Sequence, residues 1–125
     1  EAAVLAATMR LEPRCVTECF EGFEDALRRR RSSQPGGASS GCVFRNPPGL
    51  SAGQLLDQCG LKGRSVGDAV VSERHANFII NRGNATASDV LSLMLICRTG
   101  VWERFGVMLE TEVRLVGQAA LDRME

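Results

Sequence analysis

The 125-residue sequence predicts an α+β fold in which a small sheet is packed by helices. Two observations carry that prediction. Segments with apolar residues at every second position alternate along the chain with segments whose apolar residues recur every three or four. The resulting order, roughly β-α-loop-α-β-β-α-β, interleaves short strands with helices and shows no internal repeat. The length gives room for one ordinary domain, or one domain with a remnant of another.

The elements follow in order. Val4 to Leu11 reads as a strand, with Leu5, Ala7, Met9 and Leu11 on one face and Pro13 closing it. A chain that opens in mid-strand without an initiator Met looks like a piece of something longer. Thr17 to Arg31 reads as a helix capped by Thr17, with a stripe of Cys19, Phe20, Phe23, Ala26 and Leu27. It ends in four arginines, Arg28 to Arg31, which suit a helix C-terminus and a solvated end. Ser32 to Ser40, rich in Ser, Gly and Pro, is a loop. Ser51-Ala-Gly-Gln54 opens a short helix through Cys59, and Gly60 is placed to end it in a left-handed conformation. Val66 to Ser72 and Asn77 to Asn81 read as strands, being β-branched and aromatic in their apolar content. Thr86-Ala-Ser-Asp89 caps the longest helix, which runs to about Phe105. Val90, Met94, Cys97 and Val101 line one of its faces and leucines fill others, so it should be the best-buried element. Gly106 follows. Met108 to Val116 alternates, with Leu109, Thr111, Val113 and Leu115 on one side and Glu110, Glu112 and Arg114 on the other.

Composition narrows the function. Hydrophobic residues are 44% and charged residues 24%, a globular balance. Fifteen Lys+Arg offset fifteen Asp+Glu, so no global charge draws the chain to nucleic acid or to an anionic membrane. No apolar run approaches the length of a membrane-spanning helix, and the first residues lack the pattern of a signal peptide. The five cysteines (Cys15, Cys19, Cys42, Cys59, Cys97) form no C-x-x-C pair, and His75 is the single histidine. No metal site is therefore expected, and the thiols fit a reducing compartment. There is no P-loop, G-x-G-x-x-G or H-E-x-x-H.

Three positions can still do chemistry. Cys42 stands in Gly-Cys-Val-Phe-Arg-Asn-Pro, where Gly41 permits close approach, Pro47 stiffens the end, and Arg45 and Asn46 supply donors. A lone cysteine is otherwise a small buried hydrophobe. His75 is a hydrogen-bonding or charged contact suited to a phosphate, or simply a surface histidine. Glu112 is a carboxylate that can orient or supply a proton, or one paired structurally with a neighbour such as Arg114. Two readings stay open on these residues. One is a hydrolase with Cys42 as nucleophile, His75 as base and Glu112 as orienter. The other is a proton-donating thiol in a site whose main cofactor lies elsewhere. A third class is a non-catalytic binding or interaction domain.

Four ordered blocks go further: GCVFRNPPG, SAGQLLDQCGLKG, SERHANFIINRGNATASDVL and RFGVMLETEVRLVG. Together they resemble the C-terminal substrate-binding domain of the UDP-N-acetylenolpyruvoylglucosamine reductase (UDP-N-acetylmuramate dehydrogenase, MurB) family. The resemblance covers about residues 34 to 117, and VLAATMRLEP is similar to the last strand of the family's FAD-binding region. It implies residues 1–14 as the end of the FAD-binding domain, 15–40 as a connecting helix and loop, 41–117 as the substrate-binding domain and 118–125 as a tail.

The activity so implied is the NADPH- and FAD-dependent reduction of UDP-N-acetylglucosamine enolpyruvate to UDP-N-acetylmuramate, in peptidoglycan precursor synthesis. The resemblance further implies a cytoplasmic flavin oxidoreductase, monomeric when full length, with no membrane or nucleic-acid partner. The family's proton donor directly follows the Gly of the G-(S/C)-x-F-x-N-P motif, which is Cys42 here in place of the more usual Ser. A neutral thiol is far more acidic than an alcohol and can give a proton, provided the site does not hold it as thiolate. Glu112 matches the Glu of L-x-x-E-V-R, which assists the donor. Asn46 matches the motif's substrate-contacting Asn, with Arg45 beside it, and His75 falls where the family holds the diphosphate-sugar region. Asp68 departs from a usual Gly-Gly, which puts close backbone packing there in question. The family's flavin-binding motifs, a catalytic Arg and a Tyr-bearing loop are not in this sequence, which has no Tyr. No cofactor-binding residue is assigned here, so this piece alone is expected to bind FAD weakly or not at all and to be inactive without the FAD domain.

Overall fold

A computed structural model describes residues 4–115. The chain divides into two compact units, 1–30 and 31–125. Among the described residues the elements are α1 (Val16–Ser33), α2 (Ala52–Gln58), β1 (Ser65–Val66), β2 (Ala69–Val71), β3 (Ile79–Asn81) and α3 (Ala87–Phe105). The three strands form one antiparallel sheet in the order β1-β2-β3. This is the expected α+β class.

The first unit departs from expectation in two places. Residues 4–15 take no helix or strand, so the strand read over Val4–Leu11 is not formed. Alternation alone does not hold a strand; its backbone N–H and C=O groups need a neighbouring ladder. Helix α1 begins one residue before Thr17, and Cys15 rather than Thr17 takes the cap position. The Cys15 carbonyl accepts from Cys19 N at 3.1 Å. Its thiol is held below the ordinary value by hydrogen bonds from the backbone N–H groups of Glu18 and Thr17.

In the second unit the caps behave as read. Ser51 Oγ accepts from Gln54 N at 3.4 Å at the start of α2. At its end Gly60 (φ +69°) turns left-handed. Gly60 N donates to Asp57 O at 2.8 Å and Leu61 N to Leu56 O at 3.2 Å, the paired bonds of a Schellman motif. Helix α3 opens with a complete capping box. Thr86 Oγ1 accepts from Asp89 N at 3.1 Å, and Asp89 Oδ2 accepts from Thr86 N at 2.8 Å. Its buried residues are Leu91, Leu93, Met94, Cys97 and Val101, and Gly106 ends it left-handed.

The single strand read over Val66–Ser72 is two strands. Gly67 and Asp68 form a two-residue hairpin loop, with Val66 facing Ala69. Gly67 takes φ +52°, the sign required at the first loop position of a II′ turn. A Cβ there would lie 2.7 Å from Asp89 Oδ2, so glycine is needed for space as well. Asp68 has its own work: its carbonyl accepts from Arg82 N and its Oδ2 from Asn84 N, both at 2.9 Å, tying the hairpin to the loop after β3.

The last strand, read over Met108–Val116, is reduced to one bridge between Phe44 and Thr111; Val116 lies outside the described residues. The alternation survives. Leu109 is buried, Thr111, Val113 and Leu115 are half-buried, and Glu110, Glu112 and Arg114 are exposed. Its partner segment runs only from Cys42 to Arg45 before Asn46-Pro47-Pro48, and prolines have no N–H to extend a ladder. The core gathers residues from Val43 to Leu109, chiefly Phe44, Leu56, Val71, Leu93, Met94, Cys97, Val101 and Leu109.

Candidate functional site

The site is built on the four residues from Cys42 to Arg45. On one side this segment runs antiparallel to the approach to β3: Cys42 bridges Phe78, and Val43 N donates to Asn77 O at 2.9 Å. On the other side it runs along the chain after α3. Glu112 N donates to Val43 O at 2.8 Å, and Arg45 N donates to Glu110 O at 2.9 Å. Val43 is thus held from both flanks, and Cys42 and Glu112 are brought together from positions 70 residues apart.

The electrostatics follow. Cys42 is half-buried, and burial pushes its thiol above the ordinary value, with the nearby negative charge of Glu112 adding to the rise. Both causes keep the sulfur protonated. An activated nucleophile needs the opposite, a pKa lowered by positive or donor groups. His75 does not supply the base of a hydrolase. Its Nδ1 accepts from Asn77 N at 3.2 Å, and its ring packs edge-on against Phe78 with centroids 4.9 Å apart. A neutral His75 so engaged carries its proton on Nε2 and acts as a donor.

Arg45 and Asn46 continue from the same segment. Arg45 reaches Glu110 at 3.7 Å, an exposed pair of little energetic weight. Asn46 Oδ1 accepts from Ala52 N at 3.0 Å, which ties the motif to the first turn of α2. Both side chains, with Pro47, Pro48, Met108 and Glu110, line a cavity of about 260 Å³. His75 lines another, of about 280 Å³, with Ser51, Gly53, Gln54, Lys62 and Arg74 among its walls. The structure therefore unites Cys42 with Glu112 and Arg45 with Asn46, while His75 lines a separate cavity.

Sequence reasoning missed Asn77, Gly53, Lys62 and Arg74. Asn77 is 3% exposed, and its amide spans the backbone of Phe44. A polar residue inside the apolar run Ala76-Asn77-Phe78-Ile79-Ile80 was the available signal. Gly53 makes room for the imidazole, since a Cβ there would lie 2.8 Å from His75 Cε1. Lys62 pairs with Asp57 at 2.6 Å, and Arg74 Nη1 donates to the Arg31 carbonyl at 2.6 Å. Among the described residues no three His, Cys, Asp or Glu side chains converge as metal ligands do, and no helix is long and apolar enough to cross a membrane.

These residues fall inside a shared pattern. The family model described as UDP-N-acetylenolpyruvoylglucosamine reductase, C-terminal domain, matches residues 33–116. The UDP-N-acetylenolpyruvoylglucosamine reductase of Desulfosudis oleivorans is 57% identical over 97 residues, covering 76% of this chain and 31% of that protein. That of Chloroherpeton thalassium is 46% identical over 124 residues, covering 91% of this chain and 40% of that protein. The crystal structure of UDP-N-acetylenolpyruvylglucosamine reductase (MurB) from Thermus caldophilus superposes with a TM-score of 0.71 at 44% identity, over 84% of this chain and 37% of that one. The chain thus spans about two fifths or less of the length of these relatives. A matched domain that holds the whole Cys42–Glu112 frame, with a solved relative of the same fold, establishes that this chain belongs to the family of UDP-N-acetylenolpyruvoylglucosamine reductase C-terminal domains.

Proposed function

We propose that this chain is the substrate-holding part of an enzyme that reduces UDP-N-acetylglucosamine enolpyruvate to UDP-N-acetylmuramate, a cytoplasmic step of peptidoglycan precursor synthesis, with NADPH as reductant and FAD as carrier. The observation that carries this reading is the Cys42–Glu112 pair, a thiol kept protonated by burial and by a carboxylate beside it. Reduction of a carbon–carbon double bond needs a hydride at one carbon and a proton at the other. The flavin supplies the hydride when bound.

On this reading the flavin site lies outside this chain. A dinucleotide is then held by the remainder of the protein, and this chain's work is binding and the proton. Cys42 Sγ–H donates to the substrate carbon next to the one that receives hydride. Glu112 assists, its negative charge helping to keep the thiol in its neutral form until the proton is given. Arg45 and Asn46 hold the substrate beside the donor, and His75 with its Nε2–H donor holds the diphosphate-sugar region. A positioned general acid contributes about 10²–10⁴-fold.

The test uses the full-length protein. Cys42→Ala is expected to slow oxidation of the reduced flavin by substrate about 10²-fold or more, with flavin reduction by NADPH intact. Cys42→Ser should retain much of the activity. Normal turnover by Cys42→Ala would remove the donor from this reading.

A further inference from the structure

We propose that Asn77 is the positioning residue that fixes the proton donor and the substrate-holding histidine relative to each other. The inference rests on the reading of Cys42 as donor and His75 as binding group, and it adds a residue that neither the motif nor the chemistry singled out.

Asn77 spends all four of its hydrogen-bonding functions on these two segments. Its backbone N–H donates to His75 Nδ1 at 3.2 Å. Its backbone carbonyl accepts from Val43 N at 2.9 Å. Its side-chain Oδ1 accepts from Phe44 N at 2.9 Å, and its Nδ2 donates to Phe44 O at 2.8 Å. One amide thereby replaces a rung of the ladder where regular pairing stops, and both backbone groups of Phe44, 1% exposed, end on it. Removing the side chain leaves a buried N–H and a buried C=O without partners. That is the costly direction for a hydrogen bond, and the segment must move or admit water to satisfy them.

Such movement falls on Cys42. Val43, between Cys42 and the gripped Phe44, also receives the Glu112 N–H, so a shift of this segment changes both the burial of the sulfur and its approach to the carboxylate. On the other side the N–H of Asn77 holds His75 with Nδ1 as acceptor, leaving Nε2–H as donor. Donor thiol and histidine donor are consequently referenced to one residue rather than to two independent loops.

The test reads the thiols of the chain itself. Site-resolved alkylation by iodoacetamide, followed by peptide mapping over about pH 6 to 10, gives a separate profile for each cysteine. Cys97, 1% exposed, reports within the same sample whether the core is intact. In Asn77→Ala, Cys97 should stay protected while the Cys42 midpoint falls toward the ordinary thiol value, and its rate near neutral pH should rise about threefold or more. Asn77→Ser, whose hydroxyl can reach one of the two Phe44 groups, should fall between wild type and Ala. An unchanged Cys42 profile with Cys97 protected overturns the proposal. Loss of Cys97 protection in both variants overturns it too, because Asn77 is then needed only for folding. Neither result depends on flavin or turnover, so the failure of Asn77 as a positioning residue is distinguishable from the failure of Cys42 as the acid.

Discussion

A thiol serves as an acid only while it keeps its proton. At Cys42 burial and the Glu112 carboxylate both act in that direction, so the residue that could have been lost as thiolate is retained as Sγ–H. The sign of the pH dependence follows. With its pKa raised, Cys42 keeps its proton through neutrality, and on the proposed donor role the substrate-dependent oxidation of reduced flavin by the full-length protein should decline only above about pH 8.5, the ordinary thiol range. The Cys42→Ser variant should lack that alkaline limb. Gly53 is the second residue-scale test. A methyl group at its Cβ position would sit 2.8 Å from His75 Cε1 and 3.3 Å from Nδ1, displacing the ring from its bond to Asn77. Gly53→Ala lies in the first turn of α2, where alanine favours the helix and offsets the bond lost to Asn77, so the fold should be kept. The expected effect is a several-fold rise in KM for the nucleotide-sugar with kcat largely retained, read by steady-state kinetics.

Among the elements, α3 depends on its capping box, and its N-terminus also packs near the hairpin turn at Gly67. Thr86→Ala should lower stability by about 1 kcal/mol in denaturant unfolding. Asp89 gives this cap a pH signature. Hydrogen bonds from the backbone and side chain of Thr86 hold its carboxyl below 3.8. A depressed folded-state pKa contributes stability that is present above the unfolded value and is lost as pH falls through the folded one. The difference between wild type and Asp89→Ala should therefore be full above pH 3.8 and shrink in more acid solution. The caps of α2 and α3 were legible in the sequence because capping is local: donor and acceptor lie within three residues. The break in Val66–Ser72 was less legible, since a β-branched run containing a glycine reads as one strand until its ladder partner is known.

At the scale of the whole molecule, the buried core residues among those described lie between Val43 and Leu109, inside the unit 31–125. Leu93, fully buried on α3, is the place to test how that core is shared. Leu93→Ala should cost about 2–5 kcal/mol in equilibrium unfolding, depending on how far the cavity collapses. A chain starting at Arg31 keeps every one of the core residues and should unfold cooperatively with a midpoint close to that of the 125-residue chain. A non-cooperative transition would show that residues 1–30 belong to the same cooperative unit.

The sequence by itself determined the α+β class, the helices and their caps, the apolar side of the last segment, and the block pattern that marks the family. Each of these is written in neighbouring residues, as a period, a cap or a motif. The candidate site residues could also be named one at a time, as Cys42, Arg45, Asn46, His75 and Glu112. Only the tertiary structure decided how they combine. It joined Cys42 to Glu112 through the two flanks of Val43, set His75 apart as a hydrogen-bond donor in its own cavity, and gave both to Asn77. The bond between His75 and Asn77 is local, but the joining of Cys42 to Glu112 and of Phe44 to Asn77 depends on burial and on pairing between segments some 35 to 70 residues apart, which no local pattern carries.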